Sequence, residues 1–396
     1  MKFSFVHTKV LCYTSYFTQA IVNCFLPLLF IVFQNQYGLS YERLGSLIFV
    51  NFSVQMLVDI LSVRYADRIG YRKLMAGAHL LCLIGFILIS AAVILPLRLV
   101  YWGLIMAVVF YSFGGGLLEV LVSPLLQQLP GDVSTKPSEM SFLHAAFCCG
   151  QVIVILTTTL ILRGTGASIW WVLPLLWAVV PMFNLFLTMS VPMPKTKSEA
   201  NAVLSPSPMK NPLLLTLCVA MMCAGALELI MAQWASIFVE TSLSVSKATG
   251  DLLGPAAFAV MMGVGRLIYG IAGRRQNMIH AMMLSSIACL FAYLLTLLPG
   301  RIIPILGCSL VGLGVSFMWP AILSLAANAF PSSGTGMFAL LAMFGDIGGS
   351  LGPWFAGIIA DHSPAGLTAG LMTGPCFAVI LFLSLLKYHK RASLSA

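Results

Sequence analysis

Charge is what this sequence has least of. Asp, Glu, Lys and Arg make up 8% of its 396 residues, against about 25% in an average soluble domain. A soluble chain of this length cannot hide that deficit, because its surface must still meet water. The solvent facing most of this chain must therefore be lipid. Lipid offers the backbone no hydrogen-bond partner, which leaves helices or closed barrels. Barrel strands alternate apolar and polar side chains over about ten residues, and that alternation is missing. No CxxC pair occurs among the ten cysteines, so neither a zinc site nor a disulfide framework is indicated. Most of the cysteines, Cys12, Cys82, Cys218, Cys289 and Cys308 among them, sit inside apolar runs and read as small packing residues. The six histidines form no HExxH, and no Gly-Lys-Ser/Thr follows the glycine runs at 114–116 and 345–349. A metal-dependent membrane enzyme and a nucleotide-driven pump are both disfavoured; no catalytic residue, metal or cofactor is expected.

What the chain does have is apolar length. Hydrophobic residues make up 60% of it, in unbroken runs of about 20 residues, the length of a membrane-crossing helix. Windows of that size place helices near 10–33, 44–63, 74–95, 98–128, 138–162, 168–190, 212–239, 250–272, 277–297, 302–329, 334–360 and 365–386. The fold class is thus an all-α membrane protein with about twelve transmembrane helices. The first apolar run lacks a small-residue cleavage site and reads as a spanning helix, not a cleaved signal. Pro96, Pro299, Pro331 and Pro364 punctuate loops. The longest polar stretch, rich in Ser, Pro and Lys, reads as a flexible cytoplasmic linker at 191–211 between a six-helix bundle at 1–190 and another at 212–396.

The net charge of +9 points to membrane topology and not to nucleic acid. With the N-terminus inside, the inner segments hold fifteen Lys and Arg and the outer loops five: Arg43, Arg98, Arg163, Lys247 and Arg301. The positive-inside rule then puts both termini in the cytoplasm, with the plasma membrane as the expected site. The halves also echo each other. Asp59 and Asp67-Arg68 stand eight residues apart at the end of helix 2, as Arg266 and Arg274-Arg275 do at the end of helix 8; Gly150-Gln151 in helix 5 matches Gly345-Asp346 in helix 11. Paired six-helix repeats are a feature of facilitator transporters.

The stretch Arg64-Tyr-Ala-Asp67-Arg68-Ile-Gly70-Tyr-Arg72-Lys73 resembles the loop signature of the major facilitator superfamily, with Val63 in place of its first glycine. The resemblance implies a conformational latch formed by Asp67, Arg68, Gly70, Arg72 and Lys73. Within that superfamily several segments look like the fucose permease branch of sugar–proton symporters: Gly114-Gly-Gly116-Leu-Leu-Glu119 with Pro124, Gly225-Ala-Leu-Glu228 with Trp234, and Gly314-Val-Ser316 with Trp319-Pro320. Asn23-Cys-Phe-Leu-Pro27 falls where that branch often carries Asp-x-x-x-Pro, so a helix 1 carboxylate is absent here.

A charge in mid-helix costs several kcal/mol in lipid unless it is compensated, which singles out Glu119. Helical spacing puts Ser112, Gly116, Glu119, Ser123 and Gln127 on one stripe. Helix 1 carries Tyr16, Gln19 and Asn23 on one face, and helix 5 carries His144 and Gln151. These residues, with Glu228, Trp234 and Ser316, are the candidates for solute binding; Glu119 and Glu228 are those for proton coupling. Packing glue between helices is the competing account of each polar residue, and an interfacial aromatic belt competes for Trp234. Arg266 and Asp346 lie at comparable depth in one half and read as a structural ion pair.

The expected function is secondary transport of a small polar, sugar-like solute by alternating access at a midplane site between the halves. A proton gradient, the bilayer and the solute are the expected partners, with the protein acting as a monomer. The alternatives are a drug or metabolite exporter of the same fold, and a membrane sensor or scaffold that moves nothing.

Overall fold

The computed structural model describes residues 3–130, 136–194, 211–272, 278–330 and 334–395. Twelve helical rods follow one another through these residues, and no strand occurs among them. In chain order they are α1 (Phe5–Tyr37), α2 (Tyr41–Ile69), α3 (Tyr71–Ala91), α4 (Leu97–Gln128), α5 (Lys136–Thr165) and α6 (Val172–Ser190). The second series is α7 (Pro212–Ile237), α8 (247–272), α9 (Met278–Thr296), α10 (302–329), α11 (Gly334–His362) and α12 (367–395). Ten of the rods hold an apolar window long enough to cross a membrane. Several outrun the apolar windows read from sequence; α2 extends at both ends with polar and charged residues such as Glu42 and Arg43.

Prolines set the irregularities within the rods. A proline has no N–H to give the carbonyl four residues back. At Pro27, α1 tightens into a 3-10 turn over Leu26–Leu29. At Pro255, α8 loosens into a π-helical turn over Leu252–Ala256. α10 breaks at Ser316-Phe317, just ahead of Pro320.

The chain divides into two compact units. The first comprises Met1–Leu39 and Val50–Ala200, the second Ser40–Phe49 and Asn201–Ala396. The linker expected at 191–211 lies mostly outside the described residues. Assignment of Ser40–Phe49 to the second unit has a local cause. The Asp361 carboxylate at the end of α11 accepts hydrogen bonds from the Tyr41 N–H (2.9 Å) and the Glu42 N–H (2.5 Å). It supplies an anion to the first, unpaired N–H groups of α2, where the helix dipole favours one.

In the first unit, three consecutive glycines let α4 approach three different helices, since successive residues point about 100° apart around a helix. A Cβ on Gly114 would lie 2.4 Å from the Ala78 carbonyl of α3. One on Gly115 would lie 2.9 Å from the Gln19 Oε1 of α1, and one on Gly116 would lie 3.0 Å from the Gln55 Cα of α2. In the second unit α7 and α11 make the closest approach: a Cβ on Gly348 would stand 1.8 Å from the Met222 carbonyl oxygen, and one on Gly225 would stand 2.2 Å from that of Gly345. Small residues at four-residue spacing, here Gly345/Gly349 and Gly348/Gly352, are how membrane helices gain van der Waals contact where no hydrophobic effect separates them from lipid.

Candidate solute and proton site

Each unit holds its own polar constellation. In the first, the Gln19 carboxamide lies against Gly115, and the backbone of Gln55 against Gly116. Gln19 of α1 donates from Nε2 to the Glu119 Oε2 of α4 (3.0 Å) and to the Gln55 Oε1 of α2 (2.9 Å). Gln55 donates from Nε2 to the Asn23 Oδ1 (3.1 Å). Asn51 Nδ2 lies 3.5 Å from the same oxygen, and the Ser112 hydroxyl donates to Asn51 Oδ1 (2.6 Å). Gln19, Gln55, Asn51 and Ser112 are buried, whereas Glu119 is exposed. One end of the chain of bonds, Glu119, is thus open to its surroundings, its middle is packed away, and Asn23 is half-buried. Tyr16 OH and Ser123 Oγ share a hydrogen bond of 2.9 Å. The α4 stripe therefore faces α1 and α2. The Gln19 Oε1 is buried and has no hydrogen-bond partner, and the same is true of Gln151 Oε1 on α5.

Asn51 and Gln55 are not among the residues singled out from sequence, although the signal is there. They stand four residues apart in an apolar run, the same stripe argument that marks Gln19 and Asn23. A second buried polar pair not singled out from sequence is His79 Nε2 and Ser15 Oγ at 3.1 Å. The side chains of His144 and Gln127 lie outside the described residues, as do those of Asp67 and Arg68.

Of the latch residues, Gly70 takes a positive φ of 88° in the turn before α3, a backbone conformation that favours glycine. Arg72 turns into its own unit: its guanidinium donates to the carbonyls of Thr188 (2.8 Å), Met189 (2.8 Å) and Val191 (2.6 Å). These carbonyls at the end of α6 lack intrahelical partners, so Arg72 caps that helix. Lys73 is exposed.

In the second unit, Glu228 of α7 is half-buried, and its Oε2 is buried without a hydrogen-bond partner. Arg266 of α8 is the charged group that acts on it. Arg266 Nε also donates to the Ser316 carbonyl (3.1 Å). That carbonyl is four residues before Pro320 and so lacks its helical donor; the sequence Ser316-x-x-x-Pro320 creates the acceptor that Arg266 fills. Ser316 itself is buried, with its hydroxyl on the Leu313 carbonyl (2.7 Å). Asp346 is buried on α11, and the Ser350 hydroxyl donates to its backbone carbonyl (2.7 Å). Trp234 is fully enclosed. Its indole N–H donates to the Pro353 carbonyl (2.9 Å) and its ring meets Tyr41 edge-on, so in this structure it offers no open face for stacking. A cluster not foreseen from sequence joins α7 to α8: Asp251, fully buried, accepts from Lys247 Nζ (2.8 Å) and from the Ser236 hydroxyl.

Among the described residues no group of three or more His, Cys, Asp or Glu could hold a metal ion. What the first unit offers is a set of neutral donors and acceptors around one carboxylate. The family model of the Major Facilitator Superfamily matches residues 11–353. The chain belongs to the major facilitator superfamily. It is a multi-pass membrane protein of a transporter family, with that family's fold of two six-helix bundles. Among solved structures, a point mutant of the nucleoside transporter NupG is 14% identical with a TM-score of 0.77, over 96% of this chain and 99% of that one. A D-xylose–proton symporter is 16% identical with a TM-score of 0.77, over 97% and 98%. The E. coli fucose:proton symporter is 13% identical with a TM-score of 0.66, over 96% and 98%. No curated protein matches the chain.

Proposed function

We propose that this facilitator is a secondary active transporter that takes up a small, neutral, hydroxyl-rich solute together with protons. The observation that carries the reading is Glu119, an exposed carboxylate held by Gln19 at the end of a buried carboxamide network that contains no cation. Carboxamides both donate and accept, as hydroxyls do, so they suit a sugar-like solute better than an anion, which calls for Arg or Lys. The buried oxygens of Gln19 and Gln151 in the first unit have no hydrogen-bond donor, and neither has Glu228 Oε2 in the second. Burying such oxygens unpaired costs on the order of 1–3 kcal/mol each. Nucleoside and xylose transporters of the same fold support the solute class by analogy alone.

In this reading Glu119 carries the coupled proton, with Glu228 as the second candidate. Tyr16, Gln19, Asn23, His144, Gln151, Glu228 and Ser316 address the solute, while Trp234 shapes the α7–α11 contact. Arg266 pairs with Asp346 as well as acting on Glu228. Asp67 and Arg68 join Gly70, Arg72 and Lys73 at the switching loop. The protein works as a monomer in the plasma membrane with both termini in the cytoplasm. For orientation, a cysteine in place of Ala365 in a background without native cysteines is expected to react with an impermeant maleimide on intact cells. One in place of Ser205 is expected to react only after the membrane is opened. The reverse pattern overturns the orientation.

The solute is tested by thermal shift of the purified protein against sugars, polyols, nucleosides, amino acids and lipophilic cations. Counterflow in proteoliposomes then follows for whatever binds. A sugar or nucleoside is expected to stabilise the fold in a saturable way, by about 2.7 kcal/mol at a hundredfold excess over Kd. Stabilisation by lipophilic cations alone would overturn the solute class and favour an exporter.

A further inference from the structure

We propose that Gln55 is the positioning residue that carries the protonation state of Glu119 to Asn23, through a chain of carboxamides whose hydrogen bonds reverse together. The proposal rests on Glu119 being the group that gains and loses the proton.

An ionised carboxylate only accepts, so Gln19 must turn its NH₂ toward Glu119. The same nitrogen donates to Gln55 Oε1, which fixes the Gln55 amide with its nitrogen toward Asn23. Every bond in the run Gln19 to Gln55 to Asn23 therefore points one way, and its direction is set at the Glu119 end. Once Glu119 binds a proton it can donate. Its best acceptor is then Gln19 with the amide turned over, since the O and N of an amide are nearly interchangeable in shape. A turned Gln19 presents oxygen to Gln55, which must turn to donate to it. Gln55 then presents oxygen to Asn23, and Asn23 must change from acceptor to donor. Its weaker neighbour contact, Asn51 Nδ2 at 3.5 Å, follows by rotation of Asn51 and of the Ser112 hydroxyl.

Two features bear on the cost of this turnover. Gln19 Oε1 has no donor in the present arrangement; turned, Gln19 keeps both contacts through that oxygen, while its N–H groups take the unpartnered position, a cost that the new bond from the Glu119 O–H offsets. No charge moves through the buried segment, since only amide dipoles turn. Gln55 is the middle of the run, bonded to both Gln19 and Asn23. The outcome is that Asn23, at the position where the related symporters often carry an acid, senses a proton bound elsewhere.

The titratable groups on the helices packed around this stretch include Cys12, Tyr16 and Cys24 on α1, Asp59 on α2 one turn past Gln55, His79 and Cys82 on α3, Tyr111 on α4, and Cys148 on α5. The control Glu119→Gln separates their titration from that of Glu119.

The test needs no solute. Protein labelled with 15N on asparagine is titrated with acid, and the side-chain amide signal of Asn23 is assigned by its loss in Asn23→Asp. In parallel, infrared difference spectra follow the C=O stretch of the Glu119 carboxyl, identified by its absence in Glu119→Gln. In the wild-type protein both signals are expected to move with one midpoint. In Gln55→Met, close in shape but unable to hydrogen-bond in this way, the Glu119 band is expected to titrate while the Asn23 signal stays still. Gln55→Glu is the second variant: it can still accept from Gln19 but, ionised, cannot donate to Asn23, and it too is expected to uncouple them. Melting temperatures check that both variants are folded. An Asn23 signal that still follows the Glu119 midpoint in both variants overturns the relay. So does one that ignores it in the wild type, or a Glu119 band that never titrates. Failure of the transport reading shows separately, in the accumulation assay on Glu119→Gln.

Discussion

Glu119→Gln is expected to abolish uphill accumulation while leaving exchange of solute across the membrane intact. The substitution keeps the shape of the side chain and an oxygen that can accept from Gln19 Nε2, a bond of 3.0 Å in the wild type. It removes the ability to release a proton. If one proton accompanies each solute molecule, a gradient of one pH unit is worth about 1.4 kcal/mol, or a tenfold concentration ratio. The wild-type protein in proteoliposomes should approach that ratio, and the variant should stop near unity. Counterflow of the solute identified by thermal shift should continue at a comparable rate, because exchange needs no net proton movement. A variant that still concentrates solute against its gradient removes Glu119 from the coupling role. A variant that loses counterflow as well makes Glu119 a solute ligand or a packing residue.

The second large effect is structural. Gly348→Val is expected to prevent stable folding, because its Cβ would fall 1.8 Å from the Met222 carbonyl oxygen. That neighbour is helix backbone and cannot rotate away. Relief requires α7 and α11 to move apart, which also loosens Gly225 against Gly345 and Gly352 against Ala226. Overpacking of a close-packed interior costs about 1–3 kcal/mol, and more where the backbone itself must move. The measurement is the yield of monodisperse protein on size-exclusion chromatography and its melting temperature. Gly263→Ala on α8 is the matched control: nothing lies within 4 Å of the Cβ it would add, and alanine improves helix propensity by about 1 kcal/mol. Equal melting temperatures for Gly348→Val and the wild type would show that α7 and α11 do not meet backbone to backbone at this point.

The two effects differ in how far they are legible beforehand. Glu119 is visible as a charge in the middle of an apolar run, and its stripe with Ser112 and Ser123 is visible from helical spacing. Its partners are not. Gln19 can be placed on a polar face of α1, but nothing local says that this face meets Gln55 and not another helix. Asn51 and Gln55 escape notice because no family motif draws attention to them, although the same four-residue spacing is there to read. The glycine triplet at 114–116 reads as a site of close packing; that each glycine serves a different neighbour is a property of the bundle. Trp234 shows the converse. Its sequence position at the end of an apolar run suits an interfacial belt or a stacking platform, and only the packing of α7 on α11 encloses it with its N–H on Pro353.

By itself the sequence determined that the chain lives in lipid, that it crosses as helices, where those helices run, and which superfamily it resembles. The reason is that lipid imposes its constraint segment by segment: each crossing must close its own backbone hydrogen bonds and present apolar side chains along its length. Such a demand is written in local composition. The tertiary structure alone decided which polar stripes meet, that Arg72 serves the end of α6, and that Arg266 fills the carbonyl released by Pro320. It also decided that Glu119 stands open while its carboxamide partners are buried. Those outcomes depend on the rotation of each helix about its axis and on the identity of its neighbours, which are set by packing among residues far apart in the chain.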